Sequence, residues 1–155
     1  MKSRYYVLLF LFVIFHGITS AQEHDSIAVK QAAERFVKAF NSFDWATFKS
    51  CFTDDATMFH PTWEQAGRKQ GRQEIEATWL EVFPEFIDPA NKRRLSITPR
   101  DLHIQLYGNA AVLTFHLGEG VTQLSRRSLF MVKQKDVWKI AHLHASSLRG
   151  ETKTK

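Results

Sequence analysis

Two histidines alternate near the end of the chain, in the segment 137–148, VWKIAHLHASSL. The segment is typical of a β-strand, in which successive side chains point to opposite faces. Alternation predicts one face that carries Trp138, Ile140, His142, His144 and Ser146. Two imidazoles in line on a strand could bind a metal ion, transfer protons near neutral pH, or line a cleft.

The residues around His142 and His144 favour a cleft lining over a metal site. A metal site built on such a pair needs a carboxylate nearby and a further histidine on a neighbouring strand. Small and apolar residues follow instead, and the next acid, Glu151, lies in the C-terminal tail. We therefore expect no metal ion and no other cofactor, and His144 stays a candidate catalytic residue.

His60 and one of two adjacent arginines are further candidates. His60 ends an extended segment, where it could be a pocket residue or a catalytic acid or base. Arg126 and Arg127 are neighbours on a predicted strand, so they must point to opposite faces, and either could face the cleft. An arginine in the cleft favours an anionic ligand through bidentate pairing, unless it pairs with an internal acid such as Asp101 or Glu119. The predicted ligand pocket comprises Phe36, His60, Trp63, Arg127, His142 and His144.

The first 21 residues have the pattern of a secretory signal peptide. A short basic start is followed by the nine-residue apolar run VLLFLFVIF and by the small residues Thr19, Ser20 and Ala21. We expect cleavage near Ala21, an exported protein, a domain over 22–148 and a flexible charged tail over 149–155.

Charge and cysteine content exclude several classes of protein. Removing Lys2 and Arg4 with the leader leaves 19 of the 21 basic residues against 16 acidic ones, a net charge of +3. That balance does not indicate a nucleic-acid partner, and after cleavage we expect no membrane contact. Cys51 is the only cysteine, so the chain has no internal disulfide framework.

The order of the periodic segments predicts an α+β domain. Helical spacing covers the region from Asp25 to Phe40, Asp44 can cap a short second helix, and 72–86 forms a third. The residues 62–71 form a polar loop, and from Leu95 onward the period changes to two. Helices followed by strands imply a cone-shaped curved antiparallel sheet wrapped on three N-terminal helices, with a cleft between the layers.

The segment RFVKAFNSFDWATFKSCFTDDATMFHP (35–61) resembles the opening of the nuclear-transport-factor-2-like superfamily. Gly71 before the third helix continues the match, and VWKIAHLHASS is similar to the last strand of SnoaL-like members and of the calcium/calmodulin-dependent kinase association domain. The run from the first helix to Pro61 is similar to that of ketosteroid-isomerase-like members, and the resemblance covers most of 27–147. It implies a cone-shaped α+β fold with a pocket, often dimeric through the open face of the sheet. We expect a homodimer on this basis.

The residues that carry the ketosteroid isomerase reaction differ in this sequence. The resemblance implies a general base at the position of His60 and an oxyanion donor at Phe36, where those enzymes have Asp and Tyr. Phe36 has no hydroxyl, and RRSLF (126–130) holds no acid for the second donor. The arrangements implied by limonene-epoxide-hydrolase-like and scytalone-dehydratase-like members are also not complete here. Steroid isomerisation by that mechanism is therefore not expected.

Three functions remain open from the sequence. The first is binding of a small, partly apolar and anionic molecule by an exported SnoaL-like domain. The second is acid–base catalysis of the isomerase, dehydratase or cyclase type, with His60 and His144 as candidate catalytic residues. The third is a dimeric assembly module in which the pocket has lost its role.

Overall fold

The computed structural model of the chain describes residues 3–65, 67–88, 95–118 and 124–147, and of residues 3–21 and Trp63 it describes only the backbone. The predicted tail, 149–155, lies outside the described residues. The leader, its cleavage and export stay predictions. Among the residues whose side chains are described, no helix is long and apolar enough to cross a membrane.

Helices and strands follow the predicted order. The helices are α1 (Ser3–Asn41), α2 (Trp45–Ser50) and α3 (Gly71–Val82), and short 3-10 turns lie at Trp63–Gln65 and Pro84–Phe86. The strands are β1 (Phe52–Phe59), β2 (Arg68–Gln70), β3 (Arg100–Tyr107), β4 (Ala110–Leu117), β5 (Ser125–Gln134) and β6 (Val137–Ser147). The predicted α+β class is confirmed. The polar loop prediction missed β2, a three-residue strand without apolar side chains.

Six strands form one sheet in the order β2-β1-β6-β5-β4-β3. All neighbouring pairs are antiparallel except β1 and β6, which run parallel. In that pair Thr57 lies opposite His142 and Phe59 lies opposite His144. The first strand of the chain is thus joined directly to the last, which places β6 inside the sheet rather than at its edge.

Local signals in the sequence fix the ends of several elements. The Asp44 carboxylate accepts a hydrogen bond of 3.0 Å from the Thr47 backbone N–H, so that the predicted cap of α2 is confirmed. The turn between β5 and β6 places Lys135 and Asp136 at φ of 49° and 63°, as the tight turns of hairpins require.

The last strand, β6, contains a bulge at Ala141. Phe130 of β5 pairs with His142, but the next residue, Met131, pairs with Ile140. Ala141 therefore has no partner on β5 and is one extra residue in β6. A bulge of this kind reverses the alternation of side chains along a strand.

The bulge corrects the prediction made for the two histidines. Trp138 and Ile140 are buried before the bulge, and Leu143 takes over the buried face after it. His142 is half-buried and His144 exposed, on the outer face of the sheet, which is the face away from the helices. The expectation that both histidines continue the face of Trp138 is wrong, because uninterrupted alternation holds only in a strand without an extra residue.

An aromatic cluster joins the helices beneath the inner face of the sheet. The ring centroids of Phe48 lie 5.1 Å from Phe36, 5.0 Å from Trp79 and 4.8 Å from Phe86. Phe40 contacts Trp79 at 5.4 Å. Offset and edge-to-face packing of this kind stabilises a core beyond the burial of area alone, so the helices hold fixed positions relative to one another.

The bulge predicts that two neighbouring substitutions change the free energy of unfolding by very different amounts. Leu143→Ala should lower the free energy of unfolding by about 2–5 kcal/mol, because it opens a cavity in the core. His144→Ala should change it by less than about 1 kcal/mol, because this side chain is exposed. Urea unfolding of both variants measures the difference. Equal losses in the two would mean that the alternation is not reversed at Ala141.

Candidate functional site

A cavity of about 190 Å³ lies between the helices and the inner face of the sheet. Its lining residues are Phe36, Val37 and Phe40 of α1, Trp79 and Val82 of α3, Phe83, His60, Pro61 and Thr62 after β1, Leu95 and Ile97 before β3, and Phe115, Leu117, Arg127, Leu143 and Ala145 of the sheet. Among these described lining residues, only His60 and Arg127 can carry a charge. The cavity is an apolar, largely aromatic chamber with one imidazole and one guanidinium.

His60 is held in one tautomer by the residue two positions further on. The backbone N–H of Thr62 donates to Nδ1 of His60 at 3.3 Å, and the Thr62 hydroxyl lies 3.0 Å from the same nitrogen. A backbone N–H can only donate, so Nδ1 accepts and the proton of the neutral ring is on Nε2. The ring also packs edge-to-face on Trp79, with centroids 5.2 Å apart.

Burial keeps His60 neutral. Its side chain is 6% exposed. This burial, followed by the positive charges of Arg127 and Lys69, lowers the pKa of His60 from 6.5 to about 4. At neutral pH the ring is therefore an uncharged N–H donor. A general base works best with a pKa near the operating pH, so His60 is poorly suited to that role.

Arg127 contacts neutral acceptors through one nitrogen of its guanidinium. Nη1 donates to the Ser125 hydroxyl at 2.5 Å, to the backbone oxygen of Arg126 at 2.9 Å and to that of Ser146 at 3.4 Å. Within the described residues, no hydrogen bond engages its Nε or Nη2, and no ion pair includes it. The Nε and Nη2 edge of the Arg127 guanidinium is thus able to donate hydrogen bonds to a ligand.

Burial also acts on the arginine. It lowers the pKa of Arg127 to about 10. The group remains fully charged at neutral pH, because that value is still far above 7. A charge that is taken out of water without a carboxylate partner is costly. An anion bound beside Arg127 would offset that cost, so the cavity favours an anionic ligand.

The structure brings together three of the six residues predicted for the pocket. Phe36, His60 and Arg127 line the same cavity. Arg126 lies opposite His116 of β4 in the strand register, on the outer face of the sheet. Arg127 is therefore the arginine that faces the cavity. The side chain of Trp63 lies outside the described residues.

The other two predicted pocket residues, His142 and His144, lie outside this cavity. Nδ1 of His142 lies 2.7 Å from the Thr57 hydroxyl, and both imidazoles contact the ring of Phe59, at 5.8 Å and 5.6 Å between centroids. Burial, followed by the charge of His144, lowers the pKa of His142. His144 is therefore not placed to act on a molecule in this cavity, and a catalytic role for it stays a prediction.

Sequence reasoning missed part of the cavity wall. Leu95 and Ile97 line it, although their alternation had been read as the start of a strand. Phe83, just after α3, is a further wall residue; helical periodicity places it on the apolar side of the third helix but does not assign it to the pocket. The alternation of apolar and polar residues over 95–99 was the available signal, but it does not tell a strand from an extended segment that covers a cavity.

No cluster of three or more histidine, cysteine, aspartate or glutamate side chains in the described part of the chain could hold a metal ion. Cys51 is buried, and its thiol donates to the Thr47 backbone oxygen at 3.3 Å. Burial raises the pKa of this thiol, so it has no character of a nucleophile.

The sequence matches the model of a known domain family. The model of the SnoaL-like domain matches residues 29–150. The chain belongs to the SnoaL-like domain family. No curated protein matches the sequence.

Solved structures show the same fold at low sequence identity. A candidate dehydratase of the NTF2-like family from Streptomyces avermitilis has a TM-score of 0.67 at 22% identity, over 82% of this chain and 98% of that one. A candidate ketosteroid isomerase from Shewanella frigidimarina has 0.60 at 22%, over 77% and 94%. A cystatin-like fold protein from Burkholderia xenovorans has 0.61 at 17%, over 79% and 91%. At these identities the likeness shows the fold alone.

The depressed pKa of His60 predicts a loss of stability in acid. The unfolded chain takes up this proton near pH 6.5 and the folded chain only near pH 4, so the free energy of unfolding should fall by up to about 3 kcal/mol as the pH drops through that window. His60→Asn keeps an acceptor near the position of Nδ1 and removes the titration. Urea unfolding at pH 7.5, 5.5 and 4.5 should show a shallower acid loss for the variant. An acid loss equal to that of the wild type would contradict the assignment.

Proposed function

We propose that this SnoaL-like domain binds a small, mainly apolar molecule that carries one anionic group. The observation that carries the proposal is Arg127, a guanidinium in the wall of an apolar cavity with its Nε and Nη2 edge unused by the described residues. That edge matches the two oxygens of a carboxylate. The neutral Nε2–H of His60 is a second donor in the same cavity.

The size of the cavity limits the ligand. Sites for drug-sized molecules have volumes of roughly 300–1,000 Å³, so a cavity of about 190 Å³ fits a smaller one. Phe40, Trp79 and Phe83 form an aromatic wall, against which a flat ring would pack face-on or edge-on. A small aromatic carboxylate such as benzoate combines both requirements.

The charges in the cavity favour binding over acid–base turnover. Among the described residues, the lining includes no carboxylate and no second histidine, and His60 is held neutral and protonated on Nε2. Isomerases and dehydratases of the acid–base type need a group that can take up the substrate proton. None of the lining residues that the structure describes supplies one at neutral pH.

A second function is catalysis by stabilisation of a negative oxygen, without a protein base. The tautomer of His60 favours it, since an Nε2–H donor together with a guanidinium could stabilise a developing oxyanion. Two structures of the same fold are named as a candidate dehydratase and a candidate ketosteroid isomerase. Turnover by the wild type that falls in both His60→Asn and Arg127→Gln would support this function over binding alone, and turnover unchanged in His60→Asn would count against it.

The role of Arg127 can be tested with two neighbouring variants. Arg127→Gln should weaken benzoate binding about tenfold to a hundredfold, because a charge-assisted pair is lost. Arg126→Gln, which lies on the outer face, removes the same charge and should leave binding unchanged. Calorimetric or NMR titration measures both, and benzamide, which has the same shape without the charge, should bind the wild type weakly. Equal effects of the two variants would contradict the proposal.

We also propose that a second copy of the chain covers the outer face of the sheet. Its centre holds the rings of Phe59 and Phe130, exposed by 36% and 39%, beside Ser128, His142 and His144. None of these five side chains has a fixed charge, and interface centres are depleted of charge and enriched in aromatic residues. An isologous dimer brings such a face against itself and needs no complementary charge.

The dimer predicts a different outcome for two exposed apolar positions. Phe130→Glu should shift the chain to a monomer, because it places carboxylates opposite one another at the centre of the interface. Val137→Glu, at the first residue of β6, adds the same charge at a side chain that is 47% exposed and should leave the dimer intact. Sedimentation of the wild type as a monomer would exclude the homodimer, and with it the assembly module.

Export is the remaining part of the proposed function. It is supported by the basic start, apolar run and small residues of 1–21. N-terminal sequencing of the protein recovered from outside the cytoplasm should begin at Gln22.

A further inference from the structure

The residues 95–99, here called the strap, form one wall of the cavity without joining the sheet. β3 begins only at Arg100. Leu95 and Ile97 face inward and line the cavity, whereas Ser96 and Thr98 are exposed. The strap is thus an extended segment whose alternate side chains close a space that the sheet and helices leave open.

One side chain ties the strap to the helical layer. Nδ2 of Asn41 donates to the Ile97 backbone oxygen at 2.9 Å, and the Ile97 backbone N–H donates to Oδ1 of Asn41 at 2.9 Å. The two bonds reproduce the pairing of one strand with another, with an amide side chain in place of a strand. Asn41 is the last residue of α1, directly after the cavity residue Phe40.

The strap has no other polar attachment among the described residues. Within the described residues, the only hydrogen bonds of 95–99 are the two between Ile97 and Asn41. Its remaining contacts are apolar, through Leu95 and Ile97 against the core. Apolar contacts are non-directional, so they hold the strap inward without fixing its position along the cavity. The two hydrogen bonds of the Asn41 amide are directional, so they fix the position of the strap along the cavity.

We propose that Asn41 is a specificity-determining residue, which sets the size of ligand that the cavity accepts by fixing the strap. This inference rests on the proposed binding function. Asn41 does not line the cavity, so it acts on a ligand only through Leu95 and Ile97. When its bonds are lost, the strap can move outward, and a longer molecule fits along the aromatic wall.

Two variants and a control separate this role from general stability. Asn41→Asp has the same shape and still accepts from the Ile97 N–H, but places an oxygen opposite the Ile97 oxygen. Asn41→Leu removes both bonds. Ser42→Ala is the control, because the Ser42 hydroxyl bonds only within the end of α1, to the backbone oxygens of Lys38 and Ala39 among the described residues.

The first measurement needs no ligand. Hydrogen exchange at the Ile97 amide should be faster by at least about tenfold in Asn41→Leu, because its acceptor is lost, and unchanged in Ser42→Ala. Unchanged exchange in Asn41→Leu would overturn the inference.

The second measurement compares benzoate with the longer biphenyl-4-carboxylate by calorimetric titration. The wild type and Ser42→Ala should prefer benzoate. In Asn41→Asp and Asn41→Leu the ratio of the two affinities should move toward the longer acid by at least about fivefold. A merely structural role would weaken both acids alike and leave the ratio unchanged.

The outcomes distinguish the inference from the function on which it rests. If benzoate binds the wild type but the ratio does not change in either variant, Asn41 does not determine specificity and the proposed function stands. If neither acid binds any of the four proteins, the proposed function fails and the specificity role fails with it.

Discussion

One unpaired residue in the last strand, Ala141, determines which side chains meet inside this domain. Without it, the alternation from Trp138 onward would send two imidazoles into the cavity; with it, Leu143 and Ala145 lie there. The cavity is apolar as a result, and an apolar wall strengthens every electrostatic interaction within it. The neutral state of His60 and the lowered pKa of the Arg127 guanidinium both depend on burial in this apolar surrounding.

The order of elements could be predicted from the sequence because it rests on local patterns. Helical spacing, the Asp44 cap and the change of period at Leu95 are properties of a few consecutive residues. Phe36 and His60 were placed in the pocket from their positions in a familiar run of residues. The bulge could not be predicted in the same way. It arises from pairing with β5, and a small residue such as Ala141 leaves no mark of it in the sequence.

Two further features depended on partners distant in the chain. Which of the two adjacent arginines faces inward follows from the pairing of β5 with β4 and β6, so that Arg127 lies beside Phe115 and Ala145. The strap was read as part of a strand because its alternation is real, yet Pro99 brings no N–H to a ladder and β3 begins after it. Its attachment to Asn41 spans 56 positions, beyond the reach of any local pattern.

The parallel pairing of β1 with β6 has a consequence for how the domain is made. The Thr57 and His142 side chains meet across 85 positions of the chain, and the Ile140 backbone N–H donates to the Cys51 oxygen at 2.8 Å. Long-range pairing of this kind pays its loop-closure entropy before its contacts form, which slows folding. A ribosome must release nearly the whole chain before β1 can pair with β6, its second neighbour in the sheet. Until then β1 has only the three-residue β2 beside it, so the inner face of the sheet cannot close over the aromatic cluster before the last strand is made.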